Sequence, residues 1–338
     1  MLKEAAFPGQ YSPLEYAMKN PDCNEFIIDS KQDKVDYASS WNYGRYWHGY
    51  LIPLKLLLLV MPLFYIRVIN LVIINLLFLW CLILMLRWRL IGMAISFTAT
   101  LLLLGLQVMP MSMQYMSCTT IALIAIAVIL QWNKIFSKPE NLYVLFFAIG
   151  GLTSYIDLMT YPLLTLGMPA VVALYNKPRM GKTETGIRPL VMVCLCWGLG
   201  YGMIWSSKWI LASVLTDFNF IADTINSIGI RTDHSQLQTK LYYKILIAYL
   251  VLYIVSYLAA ALVVRIRFRR EGRRLNYKEN MYLIVIAVLP VIWLLVLYNH
   301  TLQHIFFTWR TYGVTLFALG CYCSQSSIRN SARNHERV

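Results

Sequence analysis

The sequence predicts an all-α fold, a polytopic transmembrane helical bundle of about nine spans. Of the 338 residues, 59% are hydrophobic and only 14% are charged, whereas a soluble domain carries about 25% charged residues. The mean hydropathy is +0.56. The apolar residues also fall in blocks of roughly 16 to 22, long enough to cross a hydrocarbon core of about 30 Å as helix. The alternating pattern of β-barrel strands is absent from these blocks.

Three regions follow from these blocks. Residues 1–63 form an outward-facing polar segment that ends in an interfacial helix over 45–63, with Pro62 closing it. Residues 64–325 form the transmembrane bundle, which includes an outer loop at 208–243, and residues 326–338 form a basic cytoplasmic tail. The predicted spans are 65–86, 90–108, 115–132, 141–158, 160–176, 189–207, 244–264, 281–299 and 309–324.

The distribution of basic residues predicts the orientation. One set of loops, together with the tail, holds 18 of the 30 lysines and arginines. The opposite set, excluding residues 1–50, holds Lys208, Arg231, Lys240 and Arg310. Cytoplasmic loops are the basic ones, so the C-terminus is expected in the cytoplasm. The net charge of +14 is thereby explained by topology, and no nucleic-acid partner is expected.

This orientation requires the polar N-terminal segment to cross the membrane with neither a signal peptide nor a preceding span. The economical explanation is that an upstream helix is missing, through a misassigned start or a truncated copy. The alternative is direct insertion with the N-terminus outside, driven by the first span and by Arg87 and Arg89.

Residues 43–50 are the first candidate site. Arg45, Tyr46, Trp47 and His48 place a cation, an imidazole and aromatic rings together, which suits a phosphate and a sugar ring. The same residues would also serve as an aromatic-belt anchor for an interfacial helix.

Asp157 is the second candidate. It lies at the tip of a hairpin with almost no loop, close to Tyr155, and it is the only acid between Glu140 and Glu184. A carboxyl at this position suits a general base or a ligand contact. The alternative is a capping role at the start of the following helix.

The third candidate is Lys208, which emerges between tryptophans after a glycine-rich stretch and could bind a lipid phosphate. The alternative is an ordinary lysine that extends its amine to the interface.

His300, His304 and Arg310 form the fourth candidate. The two histidines are spaced i, i+4 and share a helix face, which would suit zinc, but a third ligand and the glutamate of a zinc motif are missing. Phosphate binding or hydrogen bonds to sugar hydroxyls fit better, with interfacial packing as the alternative. We therefore expect no cofactor, and a divalent metal stays open.

These clusters resemble those of uncharacterised bacterial membrane proteins related to the GT-C glycosyltransferases, which use polyprenyl-phosphate sugars. The resemblance covers most of the chain from about residue 11, without the first helix of such enzymes or the acid that follows it. It is carried by Arg45-Tyr46-Trp47-His48-Gly49-Tyr50, by Thr153-Ser154-Tyr155-Ile156-Asp157, Tyr161-Pro162 and Thr165-Leu166-Gly167-Met168-Pro169, and by Asn299-His300, His304, Phe307-Thr308 and Arg310.

The resemblance implies an inverting glycosyl transfer at the outer face of the bacterial plasma membrane, with a polyprenyl-phosphate sugar lipid and membrane lipids as partners. Asp157 would act on the acceptor hydroxyl, with Asp29, Asp33 or Asp36 as alternative carboxylates. Arg45 and Lys208, with Arg310 or the histidines as further candidates, would stabilise the departing phosphate. The competing hypotheses are a lipid or solute transporter or flippase, and an inactive truncated membrane protein. The sequence does not identify the sugar, the acceptor or the oligomeric state.

Overall fold

A computed structural model describes residues 12–23, 40–176, 186–233, 240–270 and 280–325 of the chain. Nearly all of this part is helical, which confirms the predicted helical class. The helices are α1 (Pro13–Lys19), α2 (Leu51–Leu58), α3 (Leu63–Arg87), α4 (Ile91–Leu103), α5 (Met113–Gln131), α6 (Asn133–Phe136), α7 (Pro139–Ile156), α8 (Leu163–Asn176), α9 (Ile187–Leu215), α10 (Phe220–Thr232), α11 (Lys240–Arg270), α12 (Met281–Val296), α13 (Tyr298–Gln303), α14 (Ile305–Thr308) and α15 (Tyr312–Gln325). The tail and the alternative carboxylates at 29, 33 and 36 lie outside the described residues.

Four helical stretches are long and apolar enough to cross a membrane. They are Leu63–Arg87, Met113–Gln131, Ile187–Leu215 and Lys244–Ile266. Each of the nine predicted spans coincides with a helix, but several are shorter than predicted. With 14 residues, α8 is about 21 Å long, less than the roughly 30 Å of a hydrocarbon core.

The N-terminal region differs from its prediction. The sequence predicts a helix over 45–63, but α2 covers only Leu51–Leu58. His48 has a φ of 53°, a left-handed conformation that does not fit into an α-helix. Pro62 does not end this helix; it is extended and precedes α3. The region also contains α1 and two short antiparallel strands, β1 (Pro21–Cys23) and β2 (Ser40–Asn42), which pair Asp22 with Trp41.

The outer loop predicted at 208–243 is mostly helical. Helix α9 runs on to Leu215, and Asn219 caps α10 by accepting a hydrogen bond from the Ala222 N–H at 3.0 Å. Because α10 is amphipathic, it lies against the bundle through Phe220, Thr224 and Ser227, which are buried.

Helix α8 is the centre of the bundle. Its side chains from 163 to 175 are all buried, and it packs against α5, α7, α9, α12 and α15. A helix that is apolar all round belongs in an interior. Its N-terminal end follows the tip of the α7–α8 hairpin, so the polar residues of that tip are held at one end of the bundle.

Helices α7 and α9 pack along most of their length at backbone contact. A Cβ added to Gly150 would overlap the carbonyl of Trp197, and one added to Gly200 would overlap the carbonyl of Phe147. Small residues at such crossings allow two helices to approach closely. By contrast, a Cβ at Gly198, on the same helix as Gly200, would meet nothing within 4 Å.

We predict that Gly200→Ala destabilises the protein by about 1–3 kcal/mol, because the added methyl forces α7 and α9 apart. Gly198→Ala is the matched control, and it should be neutral or stabilising by up to about 1 kcal/mol through helix propensity. Denaturant unfolding of both variants in detergent micelles measures the difference. Equal unfolding midpoints would contradict this account of the crossing.

Candidate functional site

Residues 43–50 lie across the end of the bundle where α7 ends and α8 begins, which we call the polar end. The Gly49 N–H donates to the carbonyl of Tyr155 at 2.9 Å, and a Cβ at Gly49 would overlap the Tyr155 ring. His48 is buried, and its Nε2 lies 3.0 Å from Asn20 Nδ2. The segment is therefore fixed directly on the end of α7.

Arg45 connects this segment to α10. Its Nη1 donates to Asp223 at 3.1 Å and to Ser227 Oγ at 2.5 Å, and the Trp205 indole donates to the Arg45 carbonyl at 3.0 Å. Because the guanidinium already has a carboxylate partner, its charge is largely balanced within the protein.

Lys208 holds helix α1 on the bundle. Its amine is fully buried, donates to the Ala17 carbonyl at 2.6 Å, and lies 5.1 Å from the centre of the Trp47 ring. The Trp47 indole donates to the Ile204 carbonyl at 2.8 Å, and its ring packs on Tyr155 at 5.8 Å. The Lys208 amine is therefore bound to the protein's own backbone and does not face an open phosphate site.

Asp157 is enclosed at the tip of the α7–α8 hairpin. It has no exposed surface, and its carboxylate accepts hydrogen bonds from the Thr160 N–H at 2.8 Å, from the Thr160 hydroxyl, and from the Ser117 hydroxyl at 3.3 Å. Helix α8 begins only at Leu163, so this bond to the amide three residues later closes the turn after α7 and does not cap the following helix. The carboxylate consequently organises the turn between α7 and α8.

The turn that Asp157 closes orients His300. Met159 has a φ of 61°, and its carbonyl accepts a hydrogen bond from His300 Nε2–H at 2.8 Å. Since a carbonyl only accepts, Nε2 carries the proton and Nδ1 carries the lone pair. His300 is 3% exposed, and its Nδ1 has no hydrogen-bond partner. Burial first, and the charge of Arg231 second, lower the pKa of His300 to about 3, so the imidazole is neutral at pH 7.

Arg231, at the end of α10, is held by a phenol hydroxyl rather than by a carboxylate or a backbone carbonyl among the described residues. Its Nη1 donates to the Tyr46 hydroxyl at 2.5 Å, and its guanidinium lies 5.6 Å from the centre of that ring, which stacks on Trp205. No carboxylate in the described part of the chain pairs with it. Because arginine has five N–H donors, most of its hydrogen-bonding capacity remains for an anion.

A third unsatisfied group lies near Arg231. Tyr201 is buried, its hydroxyl has no hydrogen-bond partner, and it lies within electrostatic range of Asp157 and Arg231. The Asn299 amide donates to the Ile230 carbonyl at 2.8 Å and so joins α13 to the end of α10. The donors of Arg231 and Tyr201 and the acceptor of His300 are therefore brought to the polar end together.

His304 and Arg310 complete the region. His304 is partly exposed and stacks on Phe307 at 5.3 Å; burial, and secondly Arg231, lower its pKa. Arg310 is buried and donates to the carbonyls of Leu104 at 3.3 Å and Phe306 at 3.2 Å. Arg310 therefore satisfies the ends of neighbouring helical segments.

No group of three or more His, Cys, Asp or Glu side chains within the described ranges is placed to hold a metal ion. No protein-family model, curated protein or solved structure matches this chain.

Several residues chosen from the sequence do meet at the polar end. Tyr46, His300 and His304 lie around Arg231, whereas Arg45, Lys208 and Arg310 are bound to other parts of the chain. Arg231 and Tyr201 are absent from the sequence candidates. Two features of the sequence single out Arg231 as a candidate. It is one of the few cations in the outer loops, and it lies on an amphipathic stretch.

We predict that His300→Gln makes the fold less sensitive to acid. In the unfolded chain the imidazole has its usual pKa of 6.5, whereas in the folded protein its pKa is about 3. Between these values only the unfolded chain takes up a proton, so the stability of the fold decreases as the pH falls from 6.5 towards 3. At pH 5 this loss is about 2 kcal/mol. Glutamine does not titrate, and its amide can still donate to Met159. Unfolding midpoints at pH 7.5 and pH 5 test this, and an equal shift in both proteins would contradict it.

Proposed function

We propose that this protein is a membrane glycosyltransferase of the GT-C type that binds a polyprenyl-phosphate sugar at its polar end. The observation that carries the proposal is Arg231, a partly buried guanidinium with one phenol partner and no carboxylate partner among the described residues. A phosphate would accept the remaining parallel N–H donors of this group. Unlike Arg45, Arg231 can take an anion without breaking an ion pair. Unlike Lys208 and Arg310, it is not held by backbone carbonyls.

The surroundings of Arg231 favour a sugar phosphate over a simple anion. Tyr46 and Trp205 form a stacked pair with ring centres 6.2 Å apart, and Tyr43 packs on Tyr46 at 5.8 Å. Aromatic faces stack on sugar rings, and the hydroxyl of Tyr201 and the lone pair of His300 offer the polar contacts that sugar hydroxyls need.

We further propose the nine-span topology, with the polar end outside and the C-terminus in the cytoplasm of a bacterial plasma membrane. The four long apolar helices support membrane insertion. We assign five further spans, which are the shorter apolar helices at 91–103, 163–175 and 281–296 together with α7 and α15. The concentration of lysines and arginines at the opposite end supports this orientation.

For the reaction we assign the role of base to His300. The acceptor hydroxyl oxygen attacks the anomeric carbon, its proton passes to His300 Nδ1, and the bond from the anomeric carbon to the phosphate oxygen breaks, releasing polyprenyl phosphate bound to Arg231. The bound phosphate offsets the positive charge of Arg231, which raises the proton affinity of the imidazole. Asp157 is a positioning residue, because its turn presents the Met159 carbonyl that fixes the His300 tautomer.

We predict that Arg231→Gln weakens binding of a short-chain polyprenyl phosphate at least tenfold, because one charge-assisted contact is worth about 1.5–3 kcal/mol. Arg67→Gln is the matched control, since Arg67 is exposed and donates only to the Met111 carbonyl. Binding is measured by isothermal titration on the full chain in detergent. A similar loss in both variants would indicate general charge attraction and would contradict the assignment.

We predict that His300→Gln lowers the rate of sugar transfer by about 10²–10⁴-fold with the donor site saturated, because it removes the acceptor at Nδ1. Donor binding should remain, which a binding assay on the same variant checks. Asp157→Asn should cost less, since its amide oxygen still accepts from Thr160. If Asp157→Asn abolishes transfer while His300→Gln does not, the base is Asp157. Translocation of the donor across vesicles without any transfer would instead identify a flippase.

A further inference from the structure

A groove lies near the opposite end of the bundle, between α11, α12 and α15. Its volume is about 690 Å³, within the range of small-molecule sites. Ala261 of α11, Met281 and Ile284 of α12 and Leu319 of α15 form its apolar walls. Arg265, one turn beyond Ala261 on α11, lies at its rim and is exposed. The groove thus combines an apolar interior with a cation at one side.

The groove exists because the facing side chains are small. Helix α11 carries three consecutive alanines at 259–261, where it passes the beginning of α12. At this point it contacts α15, since the thiol of Cys323 on α15 lies 3.8 Å from the Ala260 carbonyl. Bulky residues at these positions would fill the space. An apolar channel between helices that faces the bilayer admits a hydrocarbon chain, because most of its lining side chains are apolar.

The described charge at the groove is positive, because Arg265 is part of its lining. Helix α11 has arginines at 265, 267, 269 and 270 and contains neither aspartate nor glutamate from 240 to 270. Basic pockets between membrane helices attract anionic lipid headgroups, whereas a zwitterionic headgroup gains little from them. The charge of this helix therefore complements one class of lipid.

We propose that the groove binds an acyl chain of an anionic phospholipid, with the headgroup phosphate against Arg265. The site is independent of the proposed glycosyl transfer, because it lies at the other end of the bundle and shares no residue with the polar end. Its ligand comes from the leaflet on the arginine-rich side of the membrane.

The test is native mass spectrometry of the full chain in detergent, titrated separately with dioleoyl phosphatidylglycerol and dioleoyl phosphatidylcholine. The wild type should bind the first phosphatidylglycerol molecule more tightly than the first phosphatidylcholine. Arg265→Gln should weaken phosphatidylglycerol binding about fivefold. Arg87→Gln removes an exposed arginine where α3 ends, on the same side of the bundle as Arg265. It should leave phosphatidylglycerol binding unchanged.

A second pair of variants tests the groove itself. Ala261→Trp fills the space and should abolish tight binding of phosphatidylglycerol, whereas Val255→Trp, at a position on α11 that is 55% exposed and outside the groove, should not. Equal affinity of the wild type for both lipids would overturn the proposal, as would equal losses in Arg265→Gln and Arg87→Gln. Wild-type binding by Ala261→Trp would also overturn it.

Discussion

The arrangement of the polar end depends on the buried carboxylate of Asp157. A carboxylate without solvent contact costs several kcal/mol unless hydrogen-bond donors surround it. Ser117 from α5 and Thr160 from the turn supply those donors, so α5 and the α7–α8 hairpin must meet at this point. The same turn holds Met159 in a left-handed conformation, and its carbonyl then has a fixed direction towards His300.

A buried hairpin tip also explains why functional groups from distant parts of the chain converge. His300 lies 141 residues from Met159, and Arg231 lies 185 residues from Tyr46. Helix α8 follows the tip into the centre of the bundle, where it is buried on all sides. Packing against α8 fixes where the surrounding helices end along the bundle. The short helices α13 and α14 lie over the tip of the hairpin.

The sequence predicts the helices well because each one is encoded locally. The predicted span 65–86 corresponds to α3 (Leu63–Arg87), since an apolar block between basic residues has few other solutions. The predicted interfacial helix is wrong at both ends. At its start, the left-handed backbone of His48 stands next to Gly49, which is bound to Tyr155. No local pattern indicates that contact.

The site is predictable only in part, for the same reason. Polar residues such as Asp157 and His300 are conspicuous in an apolar sequence. The sequence does not indicate, however, which groups the cations bind. Lys208 binds a carbonyl 191 residues away and Arg45 a carboxylate 178 residues away. Only the fold reveals these partners, and that Arg231 is bound, within the described part of the chain, by a phenol hydroxyl alone. An anion at Arg231 would offset the charge that disfavours protonation of His300. By linkage, protonation of His300 would tighten anion binding by the same factor, so phosphate binding and proton uptake are coupled at this end of the bundle.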